Sequence, residues 1–128
     1  MSPTRHSNAK ILVIDDDTSM LAFLKLHLQK AGYVVLLAED GIVGGRLALN
    51  ASPDLILLDA EMPYLSGYEL AAALRTDSAT WDIPVVFLTA DKQVEERTRM
   101  LRAEAYLKKP VKIDRLLEVV ALFTSGAA

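Results

Sequence analysis

The sequence predicts an α/β protein built on a parallel β-sheet with helices on both faces. Five apolar runs of strand length recur along the chain, at 10–14, 34–37, 55–58, 85–88 and 105–108. Most of these runs are apolar at consecutive positions, which is typical of parallel strands buried on both faces. Segments with helical periodicity separate them, and this alternation indicates successive βα units in one sheet.

Two of the intervening segments carry a clear helical stripe of apolar residues. The stripe within 18–31 consists of Met20, Leu24, Leu28 and Ala31. The stripe within 111–123 consists of Ile113, Leu116, Leu117 and Val120. Gly32 directly follows the first segment, as a helix-ending glycine does.

Two other predicted helices are weaker. The segment 41–50 contains the adjacent Gly44 and Gly45, and each glycine costs about 1 kcal/mol relative to alanine inside a helix. The segment near 92–102 offers only Val94, Met100 and Leu101 as apolar anchors. We therefore expect this segment to be among the less stable elements of the fold.

Length and composition predict one globular domain. The chain has 128 residues, of which 52% are hydrophobic and 24% charged, as in an ordinary globular protein with one core. We expect residues 10–124 to form the domain, 1–9 a flexible arm and 125–128 a frayed tail. The absence of cysteine excludes disulfides and cysteine-based zinc sites.

The charge and hydropathy patterns narrow the class of partner. A net charge of −3 and the lack of a Lys/Arg run argue against direct nucleic-acid binding. No segment reaches the roughly 18 apolar residues of a membrane span. The polar first ten residues lack the apolar core of a signal peptide. A cytoplasmic protein without a membrane segment is the expectation.

Chemically active side chains follow four of the five predicted strands. They are Asp15, Asp16 and Asp17 after the first strand, Asp59 after the third, Thr89 after the fourth, and Lys108 and Lys109 after the fifth. Ligands of open parallel sheets bind outside the carboxyl ends of the strands. We therefore expect acids, a hydroxyl and an amine to meet at one edge of the sheet.

This combination suits phosphoryl transfer to a carboxylate. Grouped carboxylate oxygens bind a hard cation such as Mg²⁺. An aspartate can act as a nucleophile and hold a covalent aspartyl-phosphate. A lysine ammonium, a threonine hydroxyl and backbone N–H groups then neutralise and hold the transferred group.

The motifs "VIDDD", "LLDAEMP", "LTA" and "YLKKP", in this order at successive strand ends, resemble the receiver domain of two-component response regulators. The resemblance covers residues 10 to about 124. It implies a flavodoxin-like (βα)5 three-layer sandwich with strand order 2-1-3-4-5. It also implies a phosphoacceptor switch rather than an enzyme. A sensor histidine kinase or a phosphotransfer protein would be the donor, and a downstream protein or effector domain would be the target.

The resemblance implies a role for each matching position in the metal site. Asp59 would be the phosphoacceptor and a metal ligand. Asp16 would bind the metal directly, and Asp15 largely through a metal-bound water. The backbone carbonyl of Glu61 would be the third protein ligand for Mg²⁺, or for Mn²⁺ in its place.

Further positions would hold the phosphoryl group and transmit the signal. Thr89 and the Ala90 N–H would bind phosphate oxygens, and Lys109 would pair with the acids or the phosphate. Tyr106 stands at the aromatic switch position, which turns inward when Thr89 moves. The Lys109–Pro110 pair matches a peptide bond that is often cis in the family.

The sequence departs from the family pattern in three places. The chain between Thr89 and Tyr106 is slightly short, and "RAEAYL" replaces the usual Gly-Ala turn before the fifth strand. The double glycine stands where helix-forming residues are common. Glu61 occupies a variable position that is associated in the family with the lifetime of the phosphoryl group, and we expect its carboxylate to modulate access to Asp59.

Two other interpretations remain open on the sequence alone. The stretch "DDDT" at 15–18 also fits the D-x-D-x-T motif of haloacid-dehalogenase-like phosphatases. Asp15 would then be the nucleophile and Asp17 the general acid, but Asp59 would have no role. The other alternative is a degenerate receiver that acts only as a protein-interaction module. Asp17 can equally be a helix N-cap, and Lys108 a surface charge.

Overall fold

The computed structural model describes residues 9–125, and this part of the chain folds into five strands and five helices that alternate along the sequence. The strands are β1 (Lys10–Ile14), β2 (Val34–Ala38), β3 (Leu55–Asp59), β4 (Val85–Thr89) and β5 (Ala105–Lys108). The helices are α1 (Thr18–Lys30), α2 (Gly41–Ala51), α3 (Gly67–Arg75), α4 (Val94–Met100) and α5 (Ile113–Thr124). The predicted arm and tail lie outside the described residues, apart from Ala9 and Ser125.

All four strand pairs are parallel, in the order β2-β1-β3-β4-β5. This confirms the α/β class and the order 2-1-3-4-5. The chain proceeds from β1 to one side to form β2, then crosses to the other side to form β3. The carboxyl ends of β1 and β3 therefore flank the topological switch point, where ligands bind in sheets of this kind.

Alternate residues of the strands pack into two separate hydrophobic cores, one on each face of the sheet. One core joins the sheet to α1 and α5, and its helical members are Leu21, Leu24, Leu28, Leu116, Val119 and Val120. The other joins the sheet to α2, α3 and α4, and its helical members are Ala48, Leu70, Ala71, Leu74 and Val94. Burial on both faces explains why the strands are apolar at consecutive positions.

The boundaries of α1 follow local capping chemistry. The Asp17 carboxylate accepts hydrogen bonds from the N–H groups of Ser19 and Met20, so Asp17 is the N-cap. Gly32 adopts a φ of 101°, which favours glycine and ends the helix. Assigning Ala31 to the buried stripe was wrong, because the helix ends at Lys30 and Ala31 is exposed.

The helix α4 is shorter than the predicted segment 92–102. It spans seven residues, and Arg102, with a φ of 55°, follows its last turn. Val94 is buried as expected, but Met100 is 71% exposed and the buried Thr98 takes its place. The trimmed helix accounts for the short interval between Thr89 and Tyr106.

The helix α3 has a sequence signal of its own, although no separate prediction covered it. Ser66 and Glu69 form a capping box, in which each side chain accepts a hydrogen bond from the other residue's backbone N–H. Gly67 begins the helix directly against the end of β3, because its N–H donates to the Ala60 carbonyl.

No helix within residues 9–125 has the length and apolar character needed to span a membrane.

Candidate functional site at the carboxyl edge of the sheet

The strand register brings the predicted site residues to one edge. Asp59 pairs with Leu88 of β4, so Thr89 lies one residue beyond the level of Asp59. Thr89 pairs in turn with Lys108, and the Lys109 N–H donates to the Thr89 carbonyl over 3.0 Å. On the other side, Ile14 pairs with Leu58, which sets Asp15 beside Asp59.

Three carboxylates form a compact cluster at this edge. Asp15, Asp16 and Asp59 each offer an oxygen, and these oxygens all lie within 4.8 Å of one another. Asp15 is 0% exposed and Asp59 is 3% exposed, whereas Asp16 faces solvent. Two buried acids and one exposed acid thus make a shallow site that a cation can enter from outside.

The third acid of the run, Asp17, points away from this cluster. Its backbone N–H donates to Asp15 Oδ1 over 2.9 Å, while its carboxylate caps α1. The run therefore divides into two cluster members and one helix cap. This arrangement does not favour the phosphatase alternative, because the carboxylate assigned there as general acid is engaged by the helix backbone.

Lys109 supplies the positive charge of the site. Its Nζ lies 3.2 Å from Asp15 Oδ2 and 3.3 Å from Asp59 Oδ1. Burial alone would lower the pKa of Lys109, but the carboxylates of Asp59 and Asp15 outweigh it and raise that pKa. The ammonium therefore stays charged and holds the two buried acids together.

The electrostatic environment of Asp59 is unlike that of a surface carboxylate. Burial and the neighbouring charge of Asp15 raise the pKa of Asp59 to about 7. The Glu61 N–H, which donates to Asp59 Oδ1 over 3.2 Å, and the Lys109 ammonium act in the opposite direction. Asp59 thus carries uncompensated repulsion that an additional cation would relieve.

One buried oxygen indicates that the cluster suits a metal. Asp15 Oδ2 is buried and, although Lys109 Nζ is near it, makes no hydrogen bond of acceptable geometry within the described residues. Buried carboxylate oxygens without such partners are costly. A hard divalent cation with oxygen ligands would satisfy it, so the residues present fit Mg²⁺.

The hydroxyl of Thr89 lies in a hydrogen-bonded chain that begins beside the cluster. Thr89 Oγ1 donates to Glu61 Oε1 over 3.5 Å and accepts from the Asp91 N–H over 2.9 Å. The Asp91 carboxylate in turn accepts from the Tyr68 hydroxyl over 2.7 Å. The chain links the loop after β3, the loop after β4 and the first turn of α3.

The remaining predicted residues surround this centre. Ala90 directly follows Thr89 and is exposed, and Lys108 is exposed, as expected of a surface charge. Tyr106 is half-buried and packs against the core on the α2–α4 face. The Lys109–Pro110 peptide bond is cis, as the resemblance implied.

Sequence reasoning missed three residues that shape the site. A Cβ at Gly67 would collide with the backbone carbonyl of Asp59, so glycine is what lets α3 begin against the end of β3. The Ser66–Glu69 capping box marked this point in the sequence. Tyr68 and Asp91 carry no comparable signal, because only the fold brings α3 beside the loop after β4.

Comparison with known proteins decides the family. The model of the response regulator receiver domain matches residues 11–121. The chain belongs to this family. A receiver is the phosphoacceptor switch of two-component signalling, which agrees with the strand-end motifs and with the geometry of the cluster.

Relatives of this receiver differ in length. The DNA-binding dual master transcriptional regulator RpaA of Synechocystis is 40% identical over 110 residues, which cover 84% of this chain and 46% of RpaA. This chain thus spans about half the length of that relative. Protein PilH of Pseudomonas aeruginosa is 36% identical over 120 residues, covering 92% of this chain and 99% of PilH.

A solved receiver shows the same fold. The receiver domain of sensor histidine kinase PA1611 from Pseudomonas aeruginosa is 27% identical, with a TM-score of 0.85 over 93% of this chain and 99% of that one. That structure has a magnesium ion coordinated in its active-site cleft. These likenesses favour the receiver over the phosphatase interpretation.

Proposed function

We propose that Asp59 is the phosphoacceptor of this receiver, within a switch unit formed by residues 10–124. The observation that supports it is the position of the Asp59 carboxylate. It is buried at the end of β3, lies with Asp15 and Asp16 in a cluster of carboxylate oxygens within 4.8 Å, and has Lys109 Nζ at 3.3 Å. A nucleophilic carboxylate needs such neutralising groups, since the incoming phosphoryl group is itself negative.

The metal ligands follow from the same cluster. We assign Mg²⁺, or Mn²⁺ in its place, to Asp15, Asp16, Asp59 and the Glu61 backbone carbonyl. When bound, the ion neutralises charge on the phosphoryl oxygens and relieves repulsion among the acids. The buried Asp15 Oδ2, which lies near Lys109 Nζ but accepts no hydrogen bond within the described residues, and the magnesium in the PA1611 receiver support this assignment.

The chain's own residues carry the transfer. A carboxylate oxygen of Asp59 attacks the phosphorus of a phosphohistidine on a histidine kinase or a phosphotransfer protein. The P–N bond breaks, and its electron pair leaves with the imidazole. Lys109, the Thr89 hydroxyl and the Ala90 N–H hold the phosphoryl oxygens. Hydrolysis of the aspartyl-phosphate by water resets the switch.

Output follows from the changed contacts of Thr89. The phosphoryl group attracts the Thr89 hydroxyl, and Tyr106 turns inward as Thr89 moves. Tyr106 lines a groove of about 960 Å³ between α4, β5 and α5. Its charged lining residues are five cations, Arg99, Lys108, Lys109, Lys112 and Arg115, and two acids, Glu95 and Glu104. We assign this face, within 92–124, to the downstream protein target.

The test is covalent labelling with a small donor. The protein is incubated with Mg²⁺ and acetyl phosphate, and the site of acid-stable, base-labile phosphate is located by mass spectrometry. We expect the label on Asp59 and its loss in Asp59→Asn. The matched control is Asp17→Asn, which keeps an N-cap residue on α1 and should be labelled like the wild type.

Two other outcomes would contradict the proposal. A label on Asp15, with steady turnover of phosphate esters that Asp17→Asn abolishes, would mean the phosphatase mechanism. A folded protein that neither takes up phosphate nor binds Mg²⁺ would mean an interaction module only.

A further inference from the structure

We propose that Tyr68 is a positioning residue that holds the switch in its resting state by fixing Asp91, whose N–H binds the Thr89 hydroxyl. This inference rests on the proposed function, in which the phosphoryl group on Asp59 attracts Thr89. We call the Tyr68–Asp91 pair the latch. It joins α3 to the loop between β4 and α4.

The contact between Asp91 and Thr89 is what the latch controls. The Asp91 N–H donates to Thr89 Oγ1 over 2.9 Å, a short and therefore well-formed bond. The second bond of this hydroxyl, to Glu61 Oε1, is long at 3.5 Å. The N–H of Asp91 is therefore the stronger restraint on the resting position of Thr89.

Two further bonds fix Asp91 itself. Its carboxylate accepts from the Tyr68 hydroxyl over 2.7 Å and from the Gln93 N–H over 3.0 Å. These same two donors, with the Gln93 N–H as the larger cause, lower the pKa of Asp91. The carboxylate is thus charged and held from both sides, and its backbone N–H stays directed at Thr89.

The ring of Tyr68 is a rigid anchor for this bond. It packs edge to face against the fully buried Phe87, with ring centroids 5.0 Å apart. The Arg97 guanidinium of α4 covers the ring at 4.7 Å from its centroid and also lies 3.8 Å from the Asp91 carboxylate. Only the hydroxyl of Tyr68 reaches Asp91, so removing that hydroxyl leaves the ring contacts intact.

The latch opposes activation. When Thr89 moves toward the phosphoryl group, the bond from the Asp91 N–H must lengthen or the loop must follow. The loop can follow only if Asp91 leaves Tyr68. A contact that is made in one state and lost in the other biases the equilibrium by its full free energy. Loss of the Tyr68 hydroxyl should therefore favour the phosphorylated arrangement.

The experiment measures that equilibrium with beryllium trifluoride, a stable analogue of a phosphoryl group on a carboxylate. The Mg²⁺-loaded protein is titrated, and the amide NMR signals of residues 89–91 report half-saturation. We expect Tyr68→Phe to lower the half-saturating concentration roughly tenfold, because a hydrogen bond to a charged group corresponds to a factor of this order.

Controls separate positioning from stability. Tyr33→Phe removes the hydroxyl of a buried tyrosine that lies near Thr124 on the other face of the sheet, and it should leave half-saturation unchanged. Asp91→Ala keeps the N–H but removes the carboxylate and its bonds from both Tyr68 and Gln93, so it should lower the half-saturating concentration at least as far as Tyr68→Phe. The double variant should match Asp91→Ala, because that change has already removed the acceptor of the Tyr68 hydroxyl.

Each outcome has one meaning. If Tyr68→Phe and Asp91→Ala bind the analogue like the wild type, or more weakly, the proposed role of the latch is wrong, while Asp59 remains the acceptor. If Tyr33→Phe changes the half-saturating concentration equally, the effect is one of stability, and the proposed role is again wrong. If the wild type does not bind the analogue and is not labelled at Asp59, the proposed function fails and the latch with it.

Discussion

The guanidinium of Arg75, at the end of α3, lies 3.3 Å from the carboxylate of Glu104, the residue before β5. Arg75 also donates to the carbonyls of Trp81, Ile83 and Arg102, over 2.9, 2.9 and 3.2 Å. Glu104 Oε1 accepts from the first N–H of β4, that of Val85, over 2.8 Å. One side-chain pair thus joins the end of α3 to the two loops that precede β4 and β5, at the amino edge of the sheet.

This tie should contribute strongly to stability. The Arg75 side chain is only 10% exposed, so its removal takes a donor from three carbonyls and leaves the Glu104 carboxylate with the Val85 N–H but without its cation. We expect Arg75→Met to lower the free energy of unfolding by about 2–3 kcal/mol. Arg115→Met is the matched control, since Arg115 pairs with Glu118 at 60% exposure and should cost less than about 0.5 kcal/mol. Urea unfolding measures both, and equal losses would contradict the argument.

The Arg75 tie also shows where sequence reasoning reaches its limit. Strand positions, strand-end acids and the Asp17 cap follow from local pattern, and all three were predictable. The sequence showed that "RAEAYL" departs from the family's Gly-Ala turn, but not how the fold accommodates the change. In the structure, Arg102 adopts a left-handed conformation and the Glu104 carboxylate bonds to Arg75. Local pattern could not predict this bond, because its two residues lie far apart in sequence.

Alanine substitutions at the two adjacent glycines of α2 should have opposite effects on the stability of the fold. A Cβ at Gly44 would lie 2.6 Å from Cδ1 of the fully buried Ile14, whereas one at Gly45 meets only Leu70 Cδ1, at 3.4 Å. Overpacking costs about 1–3 kcal/mol and should outweigh the helix propensity gained in Gly44→Ala. Gly45→Ala should stabilise by up to about 1 kcal/mol. Thermal unfolding of the two variants decides this, and a stabilising Gly44→Ala would refute it.

Because Asp91 is charged in the folded protein, the free energy of unfolding should depend on pH in the acid range. The Gln93 N–H, the Tyr68 hydroxyl and Arg97 lower the pKa of Asp91 in the folded protein. A lowered carboxyl pKa adds stability that is present above the ordinary aspartate value of about 4 and is lost as the pH falls through the folded-state pKa. The stability gap between wild type and Asp91→Asn should therefore narrow below about pH 4. Asp82→Asn, at an exposed carboxylate, is the control. A difference in free energy of unfolding between wild type and Asp91→Asn that widens in acid would contradict a lowered pKa of Asp91.

Glu61 should affect the lifetime of the phosphoryl group. Its carboxylate is exposed and lies 3.5 Å from Thr89 Oγ1, within the loop that follows Asp59. A negative charge at this point should affect the approach of water and donors to the phosphoryl group that we propose on Asp59. We expect Glu61→Asn to change the dephosphorylation rate several-fold, with Glu69→Gln as a control on the neighbouring helix. The decay of labelled protein after donor removal gives the rate, and identical decay would exclude the role.

The acid cluster should make stability depend on Mg²⁺. Under the proposed assignment, Mg²⁺ binds the folded state at Asp15, Asp16 and Asp59 and relieves their mutual repulsion, so the melting temperature should rise with Mg²⁺ concentration. The gain approaches about 2.7 kcal/mol at about 100 times the dissociation constant.

Two alanine variants test which acids of the 15–17 run are responsible. Asp16→Ala should melt higher than the wild type in chelator, since it removes repulsion, and should lose most of the Mg²⁺ response. Asp17→Ala should melt lower, because loss of the α1 cap costs about 1 kcal/mol, yet keep the full response. If Asp16→Ala responds to Mg²⁺ as the wild type does, the exposed acid is not a ligand. The division of the three acids into two cluster members and one cap would then be structural only.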